Sequence, residues 1–222
     1  MTKLLAIDTS TEACSAALGI GGDVRERYEV APRRHAELIL PMVDALLAEE
    51  QLKLKDLDAL AFGRGPGAFT GVRIATGVIQ GLAFGAGLPV VPVSSLAALA
   101  QGAASGHTLI MSAFDARMGE IYWGAFEVGK DGLVRALNEE KVEKPDEVDL
   151  PDRNGWFGVG TGWQKYGEVL KRRFGSRLTS FEWERYPRAR DVLALALRDF
   201  AEGKTVSAEQ ALPVYLRNKV TD

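Results

Sequence analysis

This chain of 222 residues has only one cysteine and no surplus of positive charge. Its single cysteine, Cys14, excludes an internal disulfide and is typical of proteins kept in a reducing cytoplasm. With 27 basic and 30 acidic residues the net charge is −3, whereas proteins that bind nucleic acid alone usually carry a clustered basic face. We therefore expect a cytoplasmic protein that does not bind nucleic acid by itself.

Patterns for metal binding, thiol catalysis and membrane insertion are also missing. The two histidines, His35 and His107, lie far apart, and His35 does not begin an HExxH motif. Cys14 has no histidine or asparagine near it in sequence, which favours a buried, inert thiol over a nucleophile. The longest mainly apolar span, residues 78–93, is shorter than the roughly 20 apolar residues that cross a membrane, and the run after Met1 is too short for a signal peptide. We expect no metal site, no peptidase chemistry and no membrane contact.

The spacing of apolar residues predicts an α/β protein whose first half begins with three antiparallel strands. Two helix–strand pairs and a short helix follow, which gives elements at residues 4–8, 14–20, 23–30, 35–49, 57–63, 69–84, 88–93 and 94–104. Gly21-Gly22 marks a hairpin, and Pro41 should bend the first helix or mark its first turn. Ser94 or Ser95 would cap the short helix.

The second half repeats this order, so we predict two β-β-β-α-β-α-β-α units. Asp8 and Asp115 each follow the apolar run that opens a half. The remaining second-half elements are strands at 119–128, 133–142, 156–160 and 178–183 and helices at 163–174 and 188–201. This pattern predicts a duplicated architecture with halves at 1–104 and 105–222, a hinge at 102–106 and a surface loop at 145–155.

The stretch GRGPGAFTGVRIATG, residues 63–77, resembles a phosphate-binding loop but lacks the other parts of one. No lysine lies between Lys55 and Lys130, which excludes a P-loop, and the next strand has no acidic residue to hold the ribose of a dinucleotide. Further along, three glycines recur every fourth residue and share one helix face: Gly77, Gly81 and Gly85. Each costs the helix about 0.5–1 kcal/mol relative to alanine. Two hypotheses remain open: close packing on the protein's own sheet, or close approach of a partner's helix.

Four motifs together, IDTST, GRGPGAFTGVRIATG, FDARMGEIY and PVYLRN, resemble the TsaB (YeaZ) family of bacterial tRNA threonylcarbamoyladenosine biosynthesis. The resemblance implies an actin/Hsp70/sugar-kinase-like fold with two duplicated ribonuclease-H-like halves. It also implies a TsaD-type paralogue that carries the active site, a TsaE-type ATPase, and tRNA bound through the complex. The product is threonylcarbamoyl on N6 of adenosine 37 in tRNAs that read codons starting with A.

The resemblance further implies that the helices at 35–49 and 69–84 form the face that binds the paralogue, or a second copy when the chain is alone. Its residues would be His35, Leu38, Met42, Thr70, Arg73, Gly77, Gly81 and Gly85.

Enzymes of the actin/Hsp70/sugar-kinase-like fold, which the resemblance implies, hold phosphates between two turns that each begin with an aspartate. This chain keeps at most one of these turns. Asp8, Thr9 and Ser10 could form the first turn, or they could simply satisfy its backbone. The second turn, residues 115–118, has no glycine-rich run, and we expect Arg117 to pair with Asp115 or Glu120. An adenosine loop would use Gly158, Gly160 and Gly162, although a tight strand-to-helix turn explains these glycines equally well. These are candidates for a vestigial nucleotide site, with no cofactor bound and ATP held by the complex rather than by this chain.

Two basic clusters, residues 171–173 and the arginines at 185, 188 and 190, are either solvated faces or a supporting contact to tRNA within the complex. Together these features predict a non-catalytic partner subunit. The alternative is an autonomous ATPase or small-molecule kinase that uses Asp8 and the glycines at 158–162.

Overall fold

The structure, a computed structural model, describes residues 1–217, and its chain forms two compact units. The first unit contains Met1–Ala98 and Pro187–Val214, and the second contains Leu99–Tyr186 and residues 215–217. None of the helices within residues 1–217 is both long and apolar enough to cross a membrane.

The first unit is built on a five-stranded mixed sheet. Its strands are β1 (Lys3–Asp8), β2 (Ala13–Ile20), β3 (Asp23–Val30), β4 (Ala59–Gly63) and β5 (Val90–Val93), in the spatial order β3-β2-β1-β4-β5. The first three strands are antiparallel, as predicted, and β1, β4 and β5 are parallel. β1 and β4 are buried almost throughout, which explains why they read as continuous apolar runs.

Within residues 1–217 the chain forms five α-helices: α1 (His35–Glu49), α2 (Phe69–Ala86), α3 (Ser95–Gly102), α4 (Thr161–Phe174) and α5 (Ala189–Ala201). α1 has the predicted bounds, and its buried stripe includes Ile39, Val43 and Leu46. α2 runs two residues beyond the prediction because it ends at Gly87, which takes the left-handed conformation with φ 68°. The Ser94 hydroxyl accepts a hydrogen bond from the Ala97 N–H, so Ser94 caps α3.

The second unit repeats the strand order of the first. Its strands are β6 (Leu109–Arg117), β7 (Glu120–Val128), β8 (Val134–Ala136), β9 (Lys141–Glu143), β10 (Trp156–Val159) and β11 (Leu178–Glu182). The order β8-β7-β6-β10-β11 corresponds, strand for strand, to β3-β2-β1-β4-β5. The predicted duplication is therefore confirmed.

The second unit departs from the predicted repeat after β7. The predicted third strand is broken into β8 and β9, which both pair with β7, and no helix lies between β9 and β10. Residues 144–155 form a loop, as predicted, whose Val148 and Leu150 enter the core of the unit. Pro145 and Pro151 each remove a backbone donor and restrict the preceding residue, so this segment cannot continue a helix.

The structure also departs from the predicted single division between residues 104 and 105, because α5 belongs to the first unit. The Ala189 N–H donates to the Ser15 hydroxyl at 2.9 Å. Leu193 lies on the strand backbone at Gly19, where an added Cβ would be 2.9 Å from Leu193 Cδ2. The predicted second half ends with residues 218–222, which lie outside the described chain, as does the last residue of PVYLRN.

We expect Leu193→Ala to lower the free energy of unfolding by about 2–5 kcal/mol, because Leu193 is fully buried. Hydrogen exchange should accelerate in β1 and β2, which α5 contacts, more than in β6 and β10. Faster exchange confined to β6 and β10 would contradict the assignment of α5 to the first unit.

Candidate partner-binding face and the aspartate turn

The glycine-rich segment after β4 packs against the turn that follows β1. A Cβ added at Gly63 would overlap the Asp8 carboxylate, one at Gly67 would overlap the Ser10 carbonyl oxygen, and one at Gly71 the Thr9 carbonyl oxygen. Gly67 and Gly71 allow two backbones to approach closely, and Gly63 leaves room for the Asp8 carboxylate. The segment thus contacts the protein's own turn, which we call the aspartate turn (Asp8, Thr9 and Ser10).

The side chains of the aspartate turn are fully buried and used within the first unit. Asp8 Oδ1 accepts hydrogen bonds from the Ser10 N–H at 2.9 Å and the Ser10 hydroxyl at 2.8 Å. The Thr9 hydroxyl donates to the Gly71 carbonyl at 2.7 Å, and the Ser10 carbonyl accepts from the Ala68 N–H at 2.7 Å. The arrangement matches the hypothesis that these residues form hydrogen bonds with backbone groups of the turn and of neighbouring segments.

Burial raises the pKa of Asp8 to about 6, although hydrogen bonds from Ser10 and a weaker one from Ser95 act in the opposite direction. The second carboxylate oxygen, Oδ2, has no partner with good hydrogen-bond geometry within residues 1–217. The uncompensated oxygen explains why the charged form is disfavoured.

In the second unit each predicted adenosine-loop glycine has a packing reason. A Cβ at Gly158 would overlap the Trp163 indole. Gly160 has φ 105°, and its Cβ would lie 2.5 Å from the Ala113 carbonyl oxygen. A Cβ at Gly162 would lie 2.9 Å from that of Ala113. These glycines need no nucleotide to account for them.

The turn after β6 is closed by charge pairs within the second unit. Asp115 accepts from the Arg117 backbone N–H at 2.9 Å and forms ion pairs with Arg117 and Lys165, so the predicted Arg117–Asp115 pair is present. Glu120 pairs instead with Arg217. Arg117 has φ 64°, and its side chain is largely exposed.

The outer face of α2 has open space where a partner could approach. Gly77, Gly81 and Gly85, which we call the glycine row, are exposed, and a Cβ added at any of them would meet no atom within 4 Å. The row spans about 12 Å along the helix. Packing on the protein's own sheet, one of the two hypotheses for these glycines, is therefore wrong.

Large apolar side chains flank the glycine row. Phe84 is 76% exposed and Phe69 is 56% exposed, and the Arg73 guanidinium lies over the Phe69 ring, 3.2 Å from its centroid. On α1, Leu40 is 45% exposed. Neither phenylalanine is among the residues predicted for the interface. Phe69 lies eight residues before Gly77, a spacing that places both residues on the same side of the helix.

The predicted interface residues of α1 are less exposed than those of α2. Thr70 and Arg73 are exposed, whereas Leu38 and Met42 are half-buried against the core. The prediction for His35 is not supported, because the residue is only 7% exposed and its Nε2 lies buried without a partner in the described chain. As the first residue of α1 it packs inward, and its spacing of four residues from Ile39 and eight from Val43 places it on the buried stripe of the helix.

Three arginines of the two basic clusters make internal contacts. Arg173 donates to the Val148 carbonyl, Arg185 to that of Gly102, and Arg188 to Glu26. Cys14 is fully buried, as predicted, and burial is the main reason that its pKa rises to about 12, which disfavours the thiolate. Within residues 1–217 no three histidine, cysteine or acidic side chains gather in a metal-binding arrangement.

Comparison with known proteins first identifies the class of protein to which the chain belongs. The family model described as "TsaD: tRNA N6-adenosine threonylcarbamoyltransferase" matches residues 28–218, a range that includes parts of both units. The solved structure described as "YeaZ from Pseudomonas aeruginosa" is 51% identical and aligns with a TM-score of 0.91 over 97% of this chain and 100% of that one. The actin/Hsp70/sugar-kinase-like fold implied by the resemblance is confirmed.

Curated relatives identify the family within that class. The tRNA threonylcarbamoyladenosine biosynthesis protein TsaB of Escherichia coli strain K12 is 47% identical, over 98% of this chain and 96% of its own length. The protein of the same name from Haemophilus influenzae is 42% identical, over 98% and 94%. The chain belongs to the TsaB (YeaZ) family.

We expect Asp8→Asn to stabilise the chain increasingly as pH rises from about 4 to 7. The folded pKa lies above the unfolded value of 3.8, so the native state binds the extra proton and stability falls as pH rises through about 6. The shift corresponds to a difference on the order of 2–3 kcal/mol above pH 7. Thermal melts at pH 4, 6 and 8 measure it, with the exposed Asp44→Asn as control; a gap that does not change with pH would contradict it.

We expect Gly81→Ala to raise the free energy of unfolding of the isolated chain by about 0.5–1 kcal/mol, because the new Cβ meets open space. Gly71→Ala, on the same helix, should lower it by about 1–3 kcal/mol because of the overlap with Thr9. Urea unfolding of both variants measures the difference. Destabilisation by Gly81→Ala would mean that the glycine row packs internally.

Proposed function

We propose that this chain is a non-catalytic subunit required for threonylcarbamoyl transfer to N6 of adenosine 37 in tRNAs that read codons starting with A. It binds and positions a TsaD-type paralogue, which carries the active site. The TsaB relatives, named for threonylcarbamoyladenosine biosynthesis, support the pathway because they match nearly the whole chain. The open space over the glycine row is the observation that carries the partner role.

The α2 face suits helix-on-helix docking. Without side chains at the glycine row, a partner helix reaches the backbone of α2 more closely than the usual 8–10 Å between helix axes. Phe84 and Phe69 supply exposed apolar area at the two ends of the row, of the kind that anchors interfaces. The helical stability lost at three glycines in the free chain is then offset by contacts in the complex.

The occupant we assign to this face is a TsaD-type protein. The TsaD family model matches this chain across α1 and α2, so a protein of that type has a related fold with helices at equivalent places. Two related faces can meet about an approximate two-fold axis. The same geometry allows two copies of this chain to pair when the paralogue is absent.

The state of the aspartate turn supports a non-catalytic role. An ATPase or kinase needs the Asp8 carboxylate and the hydroxyls beside it turned toward phosphate and metal. Here all three side chains are buried, and Thr9 and Ser10 are hydrogen-bonded within the unit. ATP therefore binds to the complex with its TsaE-type ATPase rather than to this chain, and tRNA is held through the complex.

We expect the chain to co-purify with the TsaD-type paralogue of its own genome and to be required for threonylcarbamoyladenosine formation in a reconstituted assay. Gly81→Leu should weaken binding of the paralogue by about 100-fold or more, because the side chain fills the space that the partner helix needs. Calorimetry gives the affinity, and mass spectrometry of digested tRNA gives the yield of modified nucleoside.

The matched control is Ala201→Leu, which adds the same bulk at an exposed position of α5. It should leave both affinity and yield unchanged, and neither variant should melt below the parent chain. Equal binding by Gly81→Leu and the parent would contradict docking at the glycine row. ATP turnover by the isolated chain, abolished by Asp8→Ala, would establish the autonomous ATPase instead.

A further inference from the structure

We propose that Thr9 and Ser10 are positioning residues for partner binding, because they hold the first turn of α2 in place. This inference rests on the proposed function and adds to it a role for the aspartate turn. The resemblance implies that, in nucleotide-binding proteins of the actin/Hsp70/sugar-kinase-like fold, such a turn faces phosphate. In this chain it faces the start of the docking helix.

The start of α2 depends on contacts from outside the helix. Ala68, the residue before α2, offers no side-chain cap, so the helix lacks the usual local anchor at its N-terminus. The Ser10 carbonyl accepts the Ala68 N–H, and the Thr9 hydroxyl donates to the Gly71 carbonyl. One hydrogen bond thus holds each side of the first turn.

The aspartate turn is itself held firmly enough to serve as an anchor. It directly follows β1, a central strand of the first sheet, and Asp8 Oδ1 accepts two hydrogen bonds from Ser10. The close contacts at Gly67 and Gly71 leave no room for α2 to move toward the turn. The first sheet therefore fixes the position of the first turn of α2 through the aspartate turn.

The first turn of α2 carries part of the docking face. Phe69, Thr70 and Arg73 are exposed there, and they lie within four residues of the Gly71 carbonyl that Thr9 holds. If the first turn were loosened, these side chains would become ordered only when the partner binds. The entropy lost in ordering them would lower the affinity. The glycine row, further along the helix, would keep its own contacts.

The test compares Thr9→Val with Thr76→Val. Both changes keep the side-chain shape and remove one buried hydroxyl that donates to a carbonyl of α2, since the Thr76 hydroxyl donates to Val72 at 2.9 Å. Of these two hydroxyls, only that of Thr9 connects the helix to the aspartate turn. In the isolated chain, Thr9→Val should speed amide exchange at residues 68–73 about three- to tenfold, while Thr76→Val leaves these amides unchanged.

Binding of the TsaD-type paralogue should weaken by about three- to tenfold in Thr9→Val and not in Thr76→Val, and Thr9→Ser should restore it by restoring the hydroxyl. If Thr9→Val does not fold, Ser10→Ala, which loses only the hydroxyl bond to Asp8, should show a smaller rise in exchange at the same residues.

Unchanged exchange at 68–73 in Thr9→Val, equal effects in both valine variants, or no rescue by serine would each overturn the positioning role. Failure of the parent chain to bind the paralogue would overturn the proposed function instead. The exchange result in the isolated chain would still test whether Thr9 holds the first turn.

Discussion

Close contact between two backbone segments of the first unit, the aspartate turn and the glycine-rich segment after β4, determines what this protein can do. Two of the glycines face carbonyl oxygens of the turn and the third faces the Asp8 carboxylate, at distances that leave no space for a side chain. The Thr9 and Ser10 hydroxyls and one oxygen of the Asp8 carboxylate are hydrogen-bonded inside the unit. The same contact sets where α2 begins, and the outer face of α2 is the surface that we propose for partner binding.

The chain from the end of β4 through α2 holds two sets of glycines with the same four-residue spacing and opposite surroundings. Gly67 and Gly71 face the backbone of the aspartate turn at contact distance and Gly63 faces the Asp8 carboxylate, whereas the glycine row faces open space. The first set is needed for folding, and the second only lowers the stability of the free helix. A selective pressure other than folding therefore accounts for the second set, and close approach of a partner is the physical reason that fits it.

Local periodicity made much of the fold predictable, and long-range packing limited the rest. The apolar stripe of α1, the apolar run of β2 and the alternation in β3 located those elements from a few neighbouring residues. The membership of α5 in the first unit depends on contacts with Ser15 and Gly19, which are more than 170 residues away in sequence. The exposure of Phe84 likewise depends on what lies around its side chain.

The return of α5 to the first sheet has a consequence for synthesis on the ribosome. α5 covers parts of β1, β2, β4 and β5, yet it emerges about 180 residues after β1. At 5–20 residues per second this corresponds to roughly 10–40 s during which apolar strands remain uncovered. The first sheet of the nascent chain therefore stays open to chaperones and to aggregation until α5 has been synthesised.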